Sequence, residues 1–145
     1  MRCIVQRVRR ASLVIEGVPS GEIGVGVVAL VGIERGDSER TAERMAERIA
    51  SYRLFADDEG RMNRSLLDVG GGLMLVPNFT VAADTKKGTR ASFSTAEGPE
   101  RAKPLFALLA QAVERRGIRP VLGRFGAQME VALVNDGPVT FILEA

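Results

Sequence analysis

The chain has 145 residues, of which 46% are hydrophobic and 26% are charged, and its formal net charge is +2. These values predict one globular domain that spans residues 1–145. They exclude a membrane-spanning chain, because no apolar run approaches the ~20 residues that a bilayer requires. They also exclude a large basic field, so a nucleic acid could be contacted only through local clusters of charge.

The sequence contains no histidine, and its one cysteine is Cys3. Catalytic groups of the Ser-His-Asp and Cys-His type are therefore excluded, as are zinc sites built on histidine. The acidic turn Asp57–Gly60 lacks the length and spacing of a calcium loop, so we expect neither a metal nor a cofactor. A lone cysteine cannot form an internal disulfide framework, which is typical of proteins in the reducing cytoplasm.

The first half of the chain predicts strands followed by a helix. Alternating polar and apolar residues predict a strand over residues 2–10, and Leu13–Ile15 predicts a second one. The run Val27–Val31 is short and apolar on both faces, which is typical of a buried central strand. Ser38 offers an N-cap for a helix over Thr41–Tyr52, where apolar residues recur at helical spacing.

The second half predicts a long loop, a second helix and the closing strands. Residues 82–97 are polar and irregular, and loops of this length are often functional. Pro99 favours the start of a helix that ends at Gly117. The other predicted strands are Arg53–Ala56, Leu73–Val76, Arg119–Leu122, Gln128–Asn135 and Val139–Glu144. Because turns join most strands, we expect an α+β fold of mainly antiparallel β-sheets in a barrel-like roll, with two or three helices packed outside.

A polar corner, Asn135–Pro138, separates the last two apolar runs. Asp136 and Gly137 suit turn geometry, and Pro138 lacks the N–H that a paired strand needs. One interpretation is a hairpin turn between the last two strands. The other is a rigid Gly-Pro unit that presents its backbone to a ligand. The corner alone leaves both interpretations open.

Several motifs, in one order along nearly the whole chain, resemble those of a known family. They are Gln6–Val8 with Ala11–Ser12, Gly21–Gly24, Phe79–Thr80 followed by Ala82–Asp84, Arg90 with Ser92–Ser94, Gly123–Phe125 with Met129, and Asn135–Thr140. In these motifs the chain resembles the D-aminoacyl-tRNA deacylases. It departs from the family at Pro77–Asn78, where the usual residues are serine and glutamine.

This resemblance implies a cytoplasmic enzyme that hydrolyses the ester of D-aminoacyl-tRNA and also releases glycine from mischarged tRNA. It implies a homodimer that acts on tRNA, with no cofactor and no membrane or DNA partner. A neighbouring ribose hydroxyl helps to activate water, so the protein mainly holds the ester and stabilises negative charge. Backbone N–H groups near Phe79 and Thr80 are the candidate donors. The alternative is that Thr80 is a nucleophile, although no base adjoins it in the sequence.

The resemblance also assigns chiral selection to the Gly137–Pro138 pair. In the family this peptide bond is cis, and the pair enters the pocket of the other subunit. Its two carbonyls bind the α-ammonium of the substrate and occupy the space of an L side chain, so that L-aminoacyl-tRNA is rejected. Arg7 resembles the residue that holds the pair in place, whereas the residues alone favour an exposed strand charge at this position.

The substrate's nucleotides have their own candidate residues. Phe79, Phe125 and Met129 are candidates to line the adenosine site, with core packing as the alternative for each. Asn78 stands at the family's glutamine position and is a candidate for substrate binding. The cations of the long loop either contact tRNA phosphates or are simply solvated; they are Lys86, Lys87 and Arg90.

A second hypothesis follows from the departure at Pro77–Asn78. The chain would then be a catalytically weak or altered-specificity homologue that binds the 3′ ends of aminoacyl-tRNA.

Overall fold

The computed structural model describes residues 1–145, which form eight strands, three α-helices and one 3-10 turn. The strands are β1 (Arg2–Ile15), β2 (Val18–Ile23), β3 (Gly26–Gly32), β4 (Phe55–Ala56), β5 (Met62–Arg64), β6 (Gly72–Pro77), β7 (Val121–Leu122) and β8 (Met129–Glu144). The helices are α1 (Glu39–Ser51), α2 (Leu66–Val69) and α3 (Pro99–Glu114), and the 3-10 turn spans Phe79–Ala82. None of these helices combines the length and the apolarity that crossing a bilayer would require.

β1 is the strand around which the main sheet is built. It pairs antiparallel with β2 and β3 on one side and with β8 along nearly its whole length on the other. β3, β6 and β7 then follow in parallel, which gives the order β2-β1-β3-β6-β7. Gly21 of β2 lies so near Val121 of β7 that an added Cβ would stand 2.6 Å from its side chain, so the two ends of the sheet approach each other. The predicted α+β fold with a barrel-like, mostly antiparallel sheet is confirmed.

Both faces of the sheet are buried at β3, which explains why this strand is apolar throughout. Val27 belongs to a cluster of 26 buried residues that includes the apolar stripes of α1 and α3. Val28, its neighbour on the other face, belongs to a second cluster of six residues. Because consecutive residues of a strand face opposite sides, each side receives part of the run, and each fully buried side chain stabilises the fold by about 1.5–3 kcal/mol.

Of the two long helices, α3 begins at the predicted residue, and α1 begins at Glu39, two residues before the predicted Thr41. Ser38 precedes α1, and its N–H donates to the Thr41 hydroxyl at 2.8 Å, which supplies one of the partners that a helix start requires. α3 begins at Pro99 and continues through Pro104 without a break. The guanidinium of Arg116, two residues after the end of α3, lies 3.1 Å from the Glu43 carboxylate of α1.

Several sequence predictions are wrong in detail. Residues 2–10 and Leu13–Ile15 belong to one strand, β1, because the bulges that shift its pairing with β8 do not interrupt it. The last two predicted strands also form one strand, β8, so the hairpin interpretation of Asn135–Pro138 is wrong. Three elements were not predicted from the sequence: β2, which has six residues, and β5 and α2, which have only three and four.

We predict that Gly26→Ala destabilises the protein by about 2–3 kcal/mol, because overpacking in a close contact costs free energy. A Cβ at Gly26 would stand 2.0 Å from the carbonyl oxygen of Gly72 on the neighbouring strand. Gly24→Ala is the matched control, since no atom lies within 4 Å of its added Cβ. The free energy of unfolding in urea measures both variants. Equal stability of the two variants would show that the β3–β6 contact tolerates a side chain.

Candidate active site

The end of β6 is held in place by Asn78. Its main-chain N–H donates to the carbonyl of Val31 on β3 at 2.7 Å, which continues the pairing of the two strands. Its side-chain oxygen Oδ1 accepts from the N–H of Thr80 at 3.2 Å and from the Thr80 hydroxyl at 2.5 Å. Asn78 therefore caps the 3-10 turn that follows, as asparagine commonly does at helix starts.

The cap leaves one main-chain donor of the turn unused. The N–H of Phe79, the first residue of the turn, makes no hydrogen bond within the chain, as is usual for the first N–H groups of a helix. The side-chain amide of Asn78 likewise donates to no group of the chain, because its only contacts are made through Oδ1. The N–H of Thr80, which the sequence also proposes as a donor, is occupied by Asn78.

Two cavities adjoin the 3-10 turn. The first, which we call the turn cavity, has a volume of about 590 Å³ and is lined by residues that include Asn78, Phe79, Gln128 and Met129. The second, which we call the aromatic cavity, has a volume of about 490 Å³. Its lining includes Arg35, Phe79, Phe93 and Phe125. Phe79 borders both cavities, so the three residues predicted for one adenosine site are divided between them, with Met129 in the first and Phe125 in the second.

The Gly137–Pro138 pair lies in a bulge of β8. Gln6 pairs with Thr140 and Val8 pairs with Asn135, so only Arg7 on β1 faces the four residues between those partners on β8. The Gly137–Pro138 peptide bond is cis. The side chain of Asn135 braces the bulge from within, because its Oδ1 accepts from the N–H of Val139 at 2.9 Å.

Arg7 fastens this bulge to the rest of the chain. Its guanidinium donates to the carbonyl oxygen of Leu54 at 2.7 Å and to that of Asp136 at 3.3 Å, and it lies 3.2 Å from the Asp136 carboxylate. Its side chain is only 15% exposed, unlike that of Arg9, which is 72% exposed and contacts the other oxygen of Asp136. Leu54, Arg9 and Asn135 were not predicted as partners, because their contacts with Arg7 and with the bulge form only in the folded sheet.

Within one chain, the Gly137–Pro138 pair lies far from the 3-10 turn. The pair lies opposite Arg7, whereas Asn78 bonds to Val31, whose partner on β1 is Cys3. Four residues along the strands and three strand spacings therefore separate the two segments. At about 3.4 Å per residue and about 4.8 Å per strand, that is roughly 20 Å across the sheet.

Comparison with known proteins decides the family. The model of the family described as D-Tyr-tRNA(Tyr) deacylase matches residues 4–144. The chain belongs to this family. Curated relatives named D-aminoacyl-tRNA deacylase include one from Alkalilimnicola ehrlichii, 54% identical over 98% of this chain and 95% of the relative. Another, from Methylococcus capsulatus, is 54% identical over 99% of this chain and 94% of the relative.

Solved structures resemble the whole chain as well. A structure titled c-Myc DNA Unwinding Element Binding Protein superposes with a TM-score of 0.91 and 34% identity, covering 100% of this chain and 99% of that one. A probable eukaryotic D-amino acid tRNA deacylase gives a TM-score of 0.85 at 14% identity over 99% and 98% of the two chains, a likeness of fold alone.

In this deacylase-family chain, none of the side chains with a shifted pKa is suited to act as a base or nucleophile at the two cavities. Burial raises the pKa of the Cys3 thiol, so a reactive thiolate is not available. Three carboxyls have a lowered pKa, but none of them lines either cavity. They are Glu43, hydrogen-bonded by Arg116, Asp57, hydrogen-bonded by Asn63, and Asp68, hydrogen-bonded by the backbone and hydroxyl of Ser65.

The cations of the long loop remain available to a ligand. Lys86, Lys87 and Arg90 are exposed, and none of them forms an ion pair with a carboxylate of the chain. They lie on the segment between the 3-10 turn and α3, which also carries Phe93.

We predict that Arg7→Met lowers the free energy of unfolding by about 2–3 kcal/mol, because hydrogen bonds from a charged donor are strong and the Leu54 carbonyl would lose its partner. Arg10→Met is the control, since Arg10 is exposed and makes no ion pair; its effect stays within about 0.5 kcal/mol. Urea unfolding followed by circular dichroism measures both variants. A loss no greater than that of the control would contradict the fastening role.

Proposed function

We propose that this chain hydrolyses the ester that joins a D-amino acid to the terminal adenosine of tRNA in the cytoplasm, releasing the D-amino acid and free tRNA. The observation that carries the proposal is the unused N–H of Phe79 beside the turn cavity, in a chain that has no histidine. The family match and the names of the relatives support the substrate class.

In the proposed reaction the protein positions the ester and stabilises negative charge. The ester carbonyl lies in the turn cavity, where the N–H of Phe79 and the amide of Asn78 donate to its oxygen as charge develops. Water adds its hydroxyl to the acyl carbon. The neighbouring ribose hydroxyl relays the remaining proton to the leaving ribose oxygen, so that no side-chain base is needed. The Thr80 hydroxyl already donates to Asn78 and is the less favoured candidate for a nucleophile.

We propose further that the active form is a homodimer. The outer edge of β8 pairs with no strand of the chain, although β8 has 16 residues. One face of β8 also exposes the side chains of Ile142 and Val134, which are 64% and 37% exposed. Long, unpaired edge strands are rarely left uncovered, because they pair readily with other chains. A second copy on this edge would bring the Gly137–Pro138 corner to the turn cavity that its own chain cannot reach.

Chiral selection is assigned to that corner of the partner. The carbonyls of Gly137 and Pro138 accept hydrogen bonds from the α-ammonium of the substrate. They also occupy the volume that an L side chain would need, whereas a D side chain points away from them. This is specificity by exclusion of the wrong substrate. Glycine has no side chain to exclude, so mischarged glycyl-tRNA is a second substrate.

The remaining candidates contact the nucleotides. Phe79 and Met129 border the turn cavity and contact the terminal adenosine, and the ring of Phe79 stacks on the base. The loop cations Lys86, Lys87 and Arg90 contact the phosphates, which position a nucleic acid without reading its sequence.

A second candidate function has an observation of its own. The side chain of Asn78 occupies the N–H of Thr80, which removes one of the two donors expected at this site. A chain with one fewer donor would bind the 3′ ends of aminoacyl-tRNA and hydrolyse them slowly or with altered specificity.

We predict that the protein releases D-tyrosine from D-Tyr-tRNA and glycine from Gly-tRNA, but leaves L-Tyr-tRNA intact. A carbonyl-lined corner that excludes one side-chain position would separate the two enantiomers by at least about 100-fold in rate, which corresponds to roughly 3 kcal/mol. Acid-precipitable radiolabelled aminoacyl-tRNA measures the reaction. Equal hydrolysis of both enantiomers would refute chiral selection. Tight binding of the D-substrate without hydrolysis would favour the second candidate function.

The dimer and the role of the Phe79 N–H are tested together by mixing two inactive variants. Phe79→Pro removes the N–H and lowers the rate about 100- to 1,000-fold, whereas Phe79→Ala removes only the ring and is the control. Gly137→Val disrupts the corner, because even a Cβ there would stand 3.0 Å from the N–H of Val139. Random exchange between Phe79→Pro and Gly137→Val subunits restores about a quarter of the activity, since each mixed dimer keeps one intact site.

Two results of the mixing experiment would count against the proposal. No recovery, with subunit exchange confirmed by native mass spectrometry, would mean that each chain completes its own site. Equal losses in Phe79→Pro and Phe79→Ala would mean that the ring, and not the N–H, carries the effect.

A further inference from the structure

The aromatic cavity takes no part in the proposed reaction. Its volume of about 490 Å³ is close to that of the turn cavity, and Phe79 and Gly126 line both. The two cavities are therefore neighbours with a shared wall. A ligand that fills the turn cavity therefore lies next to the aromatic cavity, on the other side of Phe79.

The walls of the aromatic cavity carry exposed rings. Phe79 and Phe93 are 59% and 45% exposed, which is unusual for phenylalanine in a domain that buries most of its large apolar side chains. Their ring centroids are 4.9 Å apart and their planes are inclined at 51°. Phe125 contributes a third ring to the lining. Exposed aromatic faces of this kind are the platforms on which single-stranded nucleic acids stack their bases.

The charges around the aromatic cavity favour a polyanion. Arg35 lines the cavity and forms no ion pair, and the only hydrogen bond of its guanidinium is to the carbonyl of Ala96 at 3.4 Å. Lys103 is exposed on α3 and lies one helical turn beyond Pro99, which also lines the cavity. Both cations are free to contact a phosphate.

One carboxylate, that of Glu97, also lines the cavity. It accepts from the N–H of Gly98 at 2.9 Å and lies 3.5 Å from the guanidinium of Arg101. Its side chain is 13% exposed, and Arg101 partly offsets its charge. It does not reverse the sign of the charge around the cavity.

We propose that the aromatic cavity binds the base of the nucleotide that precedes the terminal adenosine in the unpaired 3′ end of tRNA. Phe93 and Phe125 stack on this base, and Arg35 contacts the phosphate that joins the two nucleotides. The inference rests on the proposed function, because it takes the terminal adenosine to lie in the turn cavity. Successive nucleotides of one strand then occupy the two cavities on either side of Phe79.

Binding of non-hydrolysable analogues tests this assignment. The ligands are 3′-deoxy-3′-(D-tyrosylamino)adenosine and the same compound with cytidylate joined to its 5′ side, measured by isothermal titration calorimetry. We expect the dinucleotide to bind roughly 5- to 100-fold more tightly, as one stacked base would give. A third ligand with an abasic ribose in place of the cytidine keeps the phosphate. We expect it to lose most of that gain.

Variants of Phe93 test whether the aromatic cavity is responsible for the tighter binding of the dinucleotide. Phe93→Ala abolishes the advantage of the dinucleotide and leaves binding of the adenosine analogue within about twofold of the unchanged protein. Phe93→Tyr keeps an aromatic ring and retains the advantage. Circular dichroism and unfolding in urea establish that both variants are folded.

Each outcome supports or overturns the assignment. It is overturned if the dinucleotide binds no more tightly than the adenosine analogue, or if its advantage persists in Phe93→Ala. Equal losses for both ligands in Phe93→Ala would also overturn it, because they would place Phe93 at the turn cavity. Failure of the protein to hydrolyse any aminoacyl-tRNA would refute the proposed function alone, since the analogues report binding without turnover.

Discussion

The largely buried guanidinium of Arg7 makes the contacts on which the arrangement of the candidate site depends. It joins three segments that are distant in sequence: β1, the Leu54 carbonyl after α1, and the Asp136 carbonyl in the bulge of β8. A buried cation requires such partners, because an unpaired charge in this place would be strongly destabilising. β1 also pairs with β3, to which β6 and Asn78 are bonded. One strand therefore positions both the corner and the turn.

The proposed chemistry follows from what this arrangement fixes. The groups assigned to catalysis and chiral selection are mainly backbone N–H and C=O groups, whose directions are set by the sheet and by the cap of Asn78. Such groups need no change of protonation state. This agrees with the absence of histidine, and with the finding that no carboxyl with a lowered pKa lines either cavity. Stabilisation by preorganised donors suits a reactive ester, since little further activation is needed.

The sequence could be interpreted correctly wherever a pattern is local. The apolar run of β3, the cap of α1 and the proline at the start of α3 each act within a few residues, and the elements lie where these signals predict them. The prediction of two separate strands around the Asn135–Pro138 corner was wrong, because two apolar runs on either side of a polar segment occur both in a hairpin and in a bulged strand. Only the pairing of both halves of β8 with β1 distinguishes them. β5 and α2 were missed because elements so short carry little periodicity, and β2 was missed because Gly17, Pro19 and Gly21 are typical of a turn.

By itself the sequence determined the fold class, the family motifs and a chemistry that cannot use histidine. Composition, periodicity and motif identity are properties of residues taken in order, and they survive without coordinates. The tertiary structure alone decided that Arg7 is buried against main-chain carbonyls, that Asn78 occupies the N–H of Thr80, and that Phe125 and Met129 border different cavities. These features depend on which strands lie side by side, and that is settled by contacts between residues far apart in the chain.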